Sequence, residues 1–342
     1  MSEAITMTGD HAQAAVETRR PCVGFLGTGW IGRHRMEAML AIGAIDAGVF
    51  CDPDFACAAE AEKLAPDAWR VGTLEAMLQH DIDAVVIATP SALHAQQAIR
   101  ALEAGKAVFC QKPLGRTATE AQAVVDAARA ADRLLGVDLS YRHTEGMRHV
   151  AELVRSGALG DVFAVDLTFH NAYGPDKPWF YDPAESGGGC VVDLGVHLVD
   201  LALWTLGFPP VSNVDARLTN GGRPLGAGQV EDYATAQFAA GDAQVRLACS
   251  WRLNAGRDAV IEAAFYGTKG GTALRNVGGS FYDFTADRFE GTAVTRLVDP
   301  PDEWGARSAA VWARQLARSA AFDPEAEQFV RSAQVLDRIY GR

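Results

Sequence analysis

The sequence predicts an α/β protein with an N-terminal Rossmann-type doubly wound parallel sheet and a C-terminal α+β domain that contains a mainly antiparallel open sheet. Three observations predict this. Short apolar runs alternate with Ala-rich helical stretches from residue 21 to about residue 140, a glycine-rich turn follows the first run, and short Gly-Asp or Gly-Thr turns join the later runs. With 342 residues, 49% of them apolar, the chain can fill two cores. We place these domains at 19–140 and 141–342, after a polar, flexible tail at 1–18.

The parallel sheet is predicted from five apolar runs, at 22–26, 45–51, 84–88, 107–110 and 134–139. Between the third and fourth runs, Ala95, Ala98, Ile99 and Leu102 recur at helical spacing, and Gly105 follows at the C-terminal end. This alternation is typical of βαβ units, in which helices cover both faces of a sheet.

The second half is predicted to begin with a helix near 144–156. Strands are predicted at 163–170, 232–239, 244–253 and 259–266, and helices near 304–319 and 324–340. An antiparallel sheet of this kind has one free face. We therefore expect a homodimer or homotetramer to form through the C-terminal sheet.

Composition excludes several classes of partner. The net charge of −12 and the absence of a Lys/Arg cluster argue against nucleic acid and acidic membrane surfaces, and favour a small molecule. The six cysteines form no Cys-x-x-Cys pair and most of them resemble buried thiols, which indicates a reducing, cytoplasmic location. Arg19-Arg20 is weak evidence for an export signal, because a structural strand begins almost at once after it.

The glycine-rich turn has the spacing of a dinucleotide-binding loop. Gly27 suits the tight turn, Gly29 lets the main chain approach a pyrophosphate, and Gly32 allows the helix to pack on the strand. The backbone amides of Trp30 and Ile31 are then expected to face the phosphates at a helix N-terminus.

Asp52 lies about twenty residues beyond Gly32, at the end of the second strand. A carboxylate there can accept hydrogen bonds from both ribose hydroxyls of NAD and would repel the extra phosphate of NADP. NAD is therefore the expected cofactor, while Arg33 supports NADP as the alternative. The structural interpretation of Asp52 is a turn residue before Pro53.

Two further motifs follow strands of the same sheet. Thr89-Pro90, with His94 shortly after, follows the third strand, and Gln111-Lys112-Pro113 follows the fourth. Carboxyl ends of parallel strands meet at one edge, where open α/β folds bind ligands. The alternative for Thr89 is a helix entry, since Thr near Pro is common there.

The second half carries a Gly187-Gly188-Gly189 run followed by Asp193, His197 and Asp200. Their spacing places the last three near one helix face. No third nitrogen or sulfur donor is recognisable nearby, so we expect no metal site. The structural alternative is an Asp helix cap with a buried His.

Together these motifs resemble the glucose-fructose oxidoreductase/inositol dehydrogenase (Gfo/Idh/MocA) family over nearly the whole chain. The glycine loop, Thr89-Pro90 and the segment from Val108 to Leu114 match the family's nucleotide domain, and the motif from Gly187 to His197 matches its second half. One residue departs, because Gln111 stands where the family usually has Glu.

The resemblance implies NAD-dependent hydride transfer to or from a secondary hydroxyl or ketone of a sugar, polyol or related cyclic alcohol. It implies His197 as acid/base, Lys112 as the group that stabilises the substrate oxygen, and Asp193 as a residue that orients substrate or histidine. The alternatives are an NAD-dependent glycosidase that oxidises its sugar transiently, and a non-catalytic ligand sensor. Expected cofactor contacts are Gly27, Gly29, Trp30, Ile31, Asp52, Thr89, Pro90, His94, Gln111 and Lys112, and expected substrate contacts are Lys112, Arg142, His170, Asp193 and His197. The remaining tryptophans are assigned to packing.

Overall fold

The computed structural model describes residues 19–342, and its first half is the predicted parallel sheet. Six strands lie in the order β3-β2-β1-β4-β5-β6. Since the order reverses beside β1, a crevice is expected where the carboxyl ends of β1 and β4 meet. The strands are β1 (Cys22–Leu26), β2 (Asp46–Cys51), β3 (Trp69–Arg70), β4 (Ala84–Ile87), β5 (Ala107–Cys110) and β6 (Leu135–Val137), and the helices are α1 (Trp30–Ala41), α2 (Phe55–Leu64), α3 (Leu74–Leu78), α4 (Ser91–Glu103) and α5 (Ala118–Ala131).

The strands of this sheet are buried because helices lie on both of its faces. All four residues of β4 and of β5 are buried, which explains why these segments are continuous apolar runs rather than alternating ones. Thr73 and Thr117 cap α3 and α5, and each side chain accepts a hydrogen bond from the backbone amide of the third residue of its helix. The framework thus fixes the loops at its carboxyl edge, where the polar motifs lie.

The second half contains a nine-stranded sheet in the order β15-β14-β13-β12-β7-β11-β10-β8-β9. Neighbouring strands are antiparallel except β7 and β11, so the predicted mainly antiparallel sheet is confirmed. The strands are β7 (Val162–Asn171), β8 (Val211–Asn220), β9 (Arg223–Pro224), β10 (Tyr233–Ala240), β11 (Ala243–Ser250), β12 (Ala259–Gly267), β13 (Gly271–Asn276), β14 (Phe284–Glu290) and β15 (Ala293–Val298), and the helices are α6 (Glu145–Arg155), α7 (Pro183–Ser186) and α8 (Val196–Leu206).

The helical stretch Pro183–Leu206 is long and apolar enough to cross a membrane by composition alone. In this fold, however, 83% of its most apolar window is buried. Leu198, Val199 and Leu201 of this stretch share one core with strand residues such as Leu167. The apolarity therefore reflects packing of α8 on the large sheet.

The two faces of the large sheet differ. Along β7, Val165, Leu167 and Phe169 are buried against the helices, whereas the alternate residues are only partly buried. On the opposite face Arg246 pairs with Asp166 at 2.7 Å. Among residues 19–342 no helix covers this polar face, as expected for one face of an open sheet.

The C-terminal helices α9 (Arg307–Leu316) and α10 (Glu327–Ile339) return to the first sheet. Trp312 of α9 lies in one core with Val23 and contacts the ring of Phe109, with centroids 5.5 Å apart. Val330 of α10 belongs to the core on the other face. Residues that the sequence division placed in the second domain thus complete the core of the first.

Candidate active site

Two glycines of the loop, Gly27 and Gly32, are closely packed, whereas the third, Gly29, faces open space. An added Cβ on Gly27, whose φ is +85°, would lie 2.6 Å from the Ala88 carbonyl oxygen, and one on Gly32 would lie 2.0 Å from the Gly27 oxygen. At Gly29 such an atom would meet nothing within 4 Å. Helix α1 begins at the next residue, Trp30, and has no side-chain cap. This open cradle of backbone amides fits a pyrophosphate.

Asp52 faces this loop from the end of β2. Its Oδ2 accepts a hydrogen bond from the Thr28 amide at 2.6 Å, and its Oδ1 accepts one from the Asp54 amide at 2.9 Å. These contacts fix the orientation of the carboxylate and leave further lone pairs free, since each carboxylate oxygen can accept two hydrogen bonds. The arrangement fits a ribose diol beside the loop.

His94 ties the two downstream motifs together. It is 1% exposed, and its ring nitrogens lie 2.7 Å from the Thr89 and Pro113 carbonyl oxygens. Burial lowers the pKa of this imidazole. The side chain therefore links the backbone after β4 to the backbone after β5, while Thr89 Oγ1 donates to Gln97 Oε1 at 2.6 Å.

The predicted catalytic lysine and aspartate meet across the two halves of the chain. Lys112 Nζ lies 2.6 Å from Asp193 Oδ1 and 2.8 Å from the Asp193 carbonyl oxygen. Trp251 Nε1 donates to the other carboxylate oxygen at 3.0 Å. Trp251 is 3% exposed, so it packs as expected and also holds Asp193.

His197 lies beside this pair on α8. A π-helical turn, Val191–Gly195, carries Asp193 and leads directly into the helix that carries the histidine. His197 is 8% exposed and contacts Tyr141 edge-on, with centroids 5.0 Å apart. Burial, and then the Lys112 charge, hold the pKa of His197 well below its usual value. Its imidazole is therefore neutral at physiological pH.

The Gln111 side chain is directed toward Asp138, which follows β6 at the same edge of the sheet. Its Nε2 donates to Asp138 Oδ2 at 2.8 Å, and Arg35 Nε donates to the same oxygen at 2.6 Å. Burial opposes the charged form of Asp138, but Arg35 and the surrounding donors outweigh it and lower its pKa to about 2. Arg35 and Asp138 were not predicted as site residues, although Asp138 follows a parallel strand just as Asp52 does.

Two predicted substrate contacts lie elsewhere. Arg142 Nε donates to Asp200 Oδ2 at 2.6 Å in a buried ion pair, and Arg142 Nη1 donates to Gln328 at 2.9 Å. His170 is on the polar face of the large sheet, where Nδ1 lies 2.8 Å from Ser250 Oγ. The structure therefore brings Lys112, Asp193 and His197 together and leaves Arg142 and His170 outside that cluster.

Comparison with known proteins identifies the family to which the chain is similar. The model described as an oxidoreductase family with an NAD-binding Rossmann fold matches residues 22–139, and the GFO/IDH/MocA C-terminal domain model matches residues 147–273. Inositol 2-dehydrogenase of Rhizobium meliloti strain 1021 is 31% identical over 256 residues, which cover 74% of this chain and 75% of that protein.

Other relatives agree on the family. D-glucoside 3-dehydrogenase of Escherichia coli strain K12 is 28% identical over 56% of this chain and 58% of that protein. Among several curated relatives the match spans about half of their length. The crystal structure of GenD2 from gentamicin A biosynthesis, in complex with NAD, has a TM-score of 0.79 at 25% identity and covers 99% of this chain and 97% of that one. From these matches and the shared architecture, the chain belongs to the Gfo/Idh/MocA oxidoreductase family.

Proposed function

We propose that this protein is a nicotinamide-dependent oxidoreductase that interconverts a secondary hydroxyl and a ketone on a sugar, polyol or related cyclic alcohol. The observation that carries the proposal is the contact of Lys112 with Asp193 beside neutral His197. This cluster lies at the carboxyl edge that also holds the glycine cradle. The substrate class is supported by the names of the relatives, inositol and glucoside dehydrogenases.

In the oxidative direction, the substrate hydroxyl donates its proton to a ring nitrogen of His197. A neutral imidazole can accept that proton, and its lowered pKa keeps it in this form at and below neutral pH. A bound nicotinamide would accept the hydride from the carbon that bears this hydroxyl. In the reductive direction, protonated His197 returns the proton.

Lys112 stabilises negative charge on the reacting oxygen. Its ammonium has three donors, and two of them are directed to Asp193 oxygens at 2.6 and 2.8 Å. The third can be directed to the substrate oxygen. Asp193, held by Trp251, therefore orients the lysine, and the fixed charge costs no reorganisation as alkoxide character develops.

NAD is the proposed cofactor, with NADP through Arg33 as the alternative. The anchored Asp52 carboxylate supports NAD, because a 2′-phosphate placed beside it would face a fixed negative charge. Glycine packing and the open side of Gly29 suit either dinucleotide.

The experiment that tests the proposal is a parallel screen of inositols, D-glucosides, aldoses and polyols with NAD and with NADP, monitored through the absorbance of the reduced nicotinamide. Stoichiometric NADH formation from one of these compounds is expected. Cleavage of a glycoside without NADH accumulation would instead establish the glycosidase alternative. Tight binding of sugar with neither reaction would establish the sensor.

We further propose that the polar face of the large sheet joins copies of this chain into a homodimer or homotetramer. Val294, exposed by 64%, lies on the outer strand β15 of this sheet. Light scattering of the purified protein tests this, and a monomeric mass at micromolar concentration would reject it. The six free cysteines are compatible with a cytoplasmic location, which cell fractionation tests.

A further inference from the structure

Asp138 is a buried carboxylate that gathers donors from both halves of the chain. It is 2% exposed and follows β6. Arg35 Nε donates to it at 2.6 Å, Gln111 Nε2 at 2.8 Å and Ser140 Oγ at 2.7 Å, and Ser308 Oγ donates to it as well. A carboxylate supplied with this many donors remains ionised and stays in one orientation.

Gln111 connects this carboxylate to the lysine. Its Nε2 donates to Asp138, while its Oε1 accepts the backbone amide of Lys112 at 3.0 Å. A primary amide can make both contacts because it has a donor end and an acceptor end. The Gln111 side chain thus links the buried charge to the Lys112 backbone, from which the lysine side chain reaches Asp193.

A carboxylate at position 111 could make only one of these contacts. It could still accept from the Lys112 amide, but its second oxygen would lie about 2.8 Å from an oxygen of Asp138. Two ionised carboxylates at that distance repel each other, and within residues 19–342 Arg35 is the cation that pairs with Asp138. An amide at position 111 and a carboxylate at position 138 are therefore chemically matched.

We propose that Asp138 is a positioning residue for Lys112, that it acts through Gln111, and that position 111 requires an amide because position 138 holds a buried carboxylate. The proposal rests on the proposed function, since it assigns the role of positioning to the lysine of that mechanism. It explains within this chain why Gln111 occupies a position where Glu is usual in the family.

The test compares the kcat of three variants. Gln111→Glu adds a carboxylate, Asp138→Asn removes one, and the double variant moves the carboxylate from position 138 to position 111. Each single variant is expected to lower kcat about a hundredfold, the effect of moving a reacting group by about 1 Å, and to leave the Kd of NADH within about threefold. The double variant keeps one carboxylate and one amide, so kcat is expected to return to within about tenfold of the parent. Turnover is measured with the compound oxidised fastest in the screen above.

A second readout does not depend on turnover. Limited acetylation with acetic anhydride, followed by peptide mass spectrometry, measures how freely Lys112 Nζ reacts. Labelling of Lys112 is expected to rise severalfold in both single variants and to fall back in the double variant. Lys106, which donates to the Ile82 carbonyl oxygen at 2.7 Å, serves as the internal reference.

Gln122→Glu is the matched control. Gln122 Nε2 donates to Asp126 at 3.0 Å on the exposed surface of α5, so the same exchange creates the same carboxylate pair in solvent. Water and salt screen that pair, and no change in kcat or Lys112 labelling is expected. If Gln111→Glu does not fold, Gln111→Met removes the donor without adding charge and is expected to lower kcat about tenfold.

The proposal is overturned if Gln111→Glu keeps the parent kcat and Lys112 labelling, or if the double variant is no better than the single ones. A lower Tm in the single variants without a change in labelling would likewise overturn it, because the pair would then be purely structural. Failure of the proposed function is distinguishable, since it would remove turnover from the parent protein while the labelling pattern stayed as expected.

Discussion

The glycine cradle and the lysine cluster lie at the same edge of one sheet but are constructed differently. The cradle consists of backbone, because Gly27, Gly29 and Gly32 have no side chain to fill the space or clash with neighbouring atoms. Asp52 is held by the backbone amides of residues only 2 and 24 positions away in sequence. The cluster consists of side chains, and its central contact joins Lys112 to Asp193 across 81 residues of sequence. Because the two regions are built from different residues, substitutions should be able to lower cofactor affinity and turnover independently.

The largest separation is expected for Lys112→Met. Loss of the ammonium removes the electrostatic stabilisation of the substrate oxygen, so kcat should fall about a thousandfold while the Kd of NADH changes less than about fivefold. Stopped assays and NADH fluorescence titration measure the two quantities. The control is Lys106→Met, because Lys106 lies in the same domain but donates to a backbone carbonyl. Its kcat and Kd of NADH should match those of the parent. Equal losses of binding and turnover would remove the distinction between the two regions.

Replacing His197 tests the second region through the pH dependence of turnover. His197→Asn should lower kcat about a hundredfold, the usual contribution of a positioned base. In the parent, burial and Lys112 lower the histidine pKa, so the base form persists as pH falls below 6.5. Oxidation by the parent should therefore stay constant from pH 8 to pH 6.5 and decline only at lower pH. A decline centred near the ordinary histidine pKa would contradict the assignment.

Two glycines of the cradle form a matched pair. Gly29→Val fills the open side and should weaken NADH binding about tenfold with an unchanged Tm, since a Cβ there meets no protein atom. Gly32→Ala should instead lower Tm and the yield of folded protein, because its Cβ would lie 2.0 Å from a backbone oxygen. Calorimetry and titration of both variants test this, and equal Tm values would contradict it.

The narrowest effect is expected for Asp52→Ser, which should change only the choice between NAD and NADP. The preference for NAD over NADP should fall about tenfold, because the serine hydroxyl still bonds ribose but no longer repels a 2′-phosphate. The ratio of kcat/KM for the two cofactors measures it, with Asp54→Ser, which alters only the α2 cap, as control. A parent enzyme that already prefers NADP would overturn the interpretation of Asp52.

The same difference in construction explains what the sequence could predict. Strands β1 and β5 were predicted at their observed bounds, because buried parallel strands are continuous apolar runs. Strands β3, β8, β9, β13, β14 and β15 were missed. In β8 and β15 most residues are exposed or only partly buried, and polar side chains interrupt the apolar pattern.

Side-chain partners were harder to predict than strands. Arg142 lies near the expected crevice in sequence, but Asp200, 58 residues later, binds it in a buried pair. His170 was expected at a strand end, and it is there, but the alternation of β7 directs it to the polar face. Which of two faces a side chain takes, and which distant charge it meets, depends on packing that a single sequence does not contain.

The return of α9 and α10 to the first sheet has a consequence for biosynthesis. Until residues 307–339 have left the ribosome, one face of the parallel sheet lacks Trp312 and the other lacks Val330. An N-terminal fragment would expose that apolar surface, so the dinucleotide-binding half should not mature during translation ahead of the rest. Chaperone dependence and co-translational protease resistance should therefore follow the last helices to be synthesised, rather than the boundary between the two sheets.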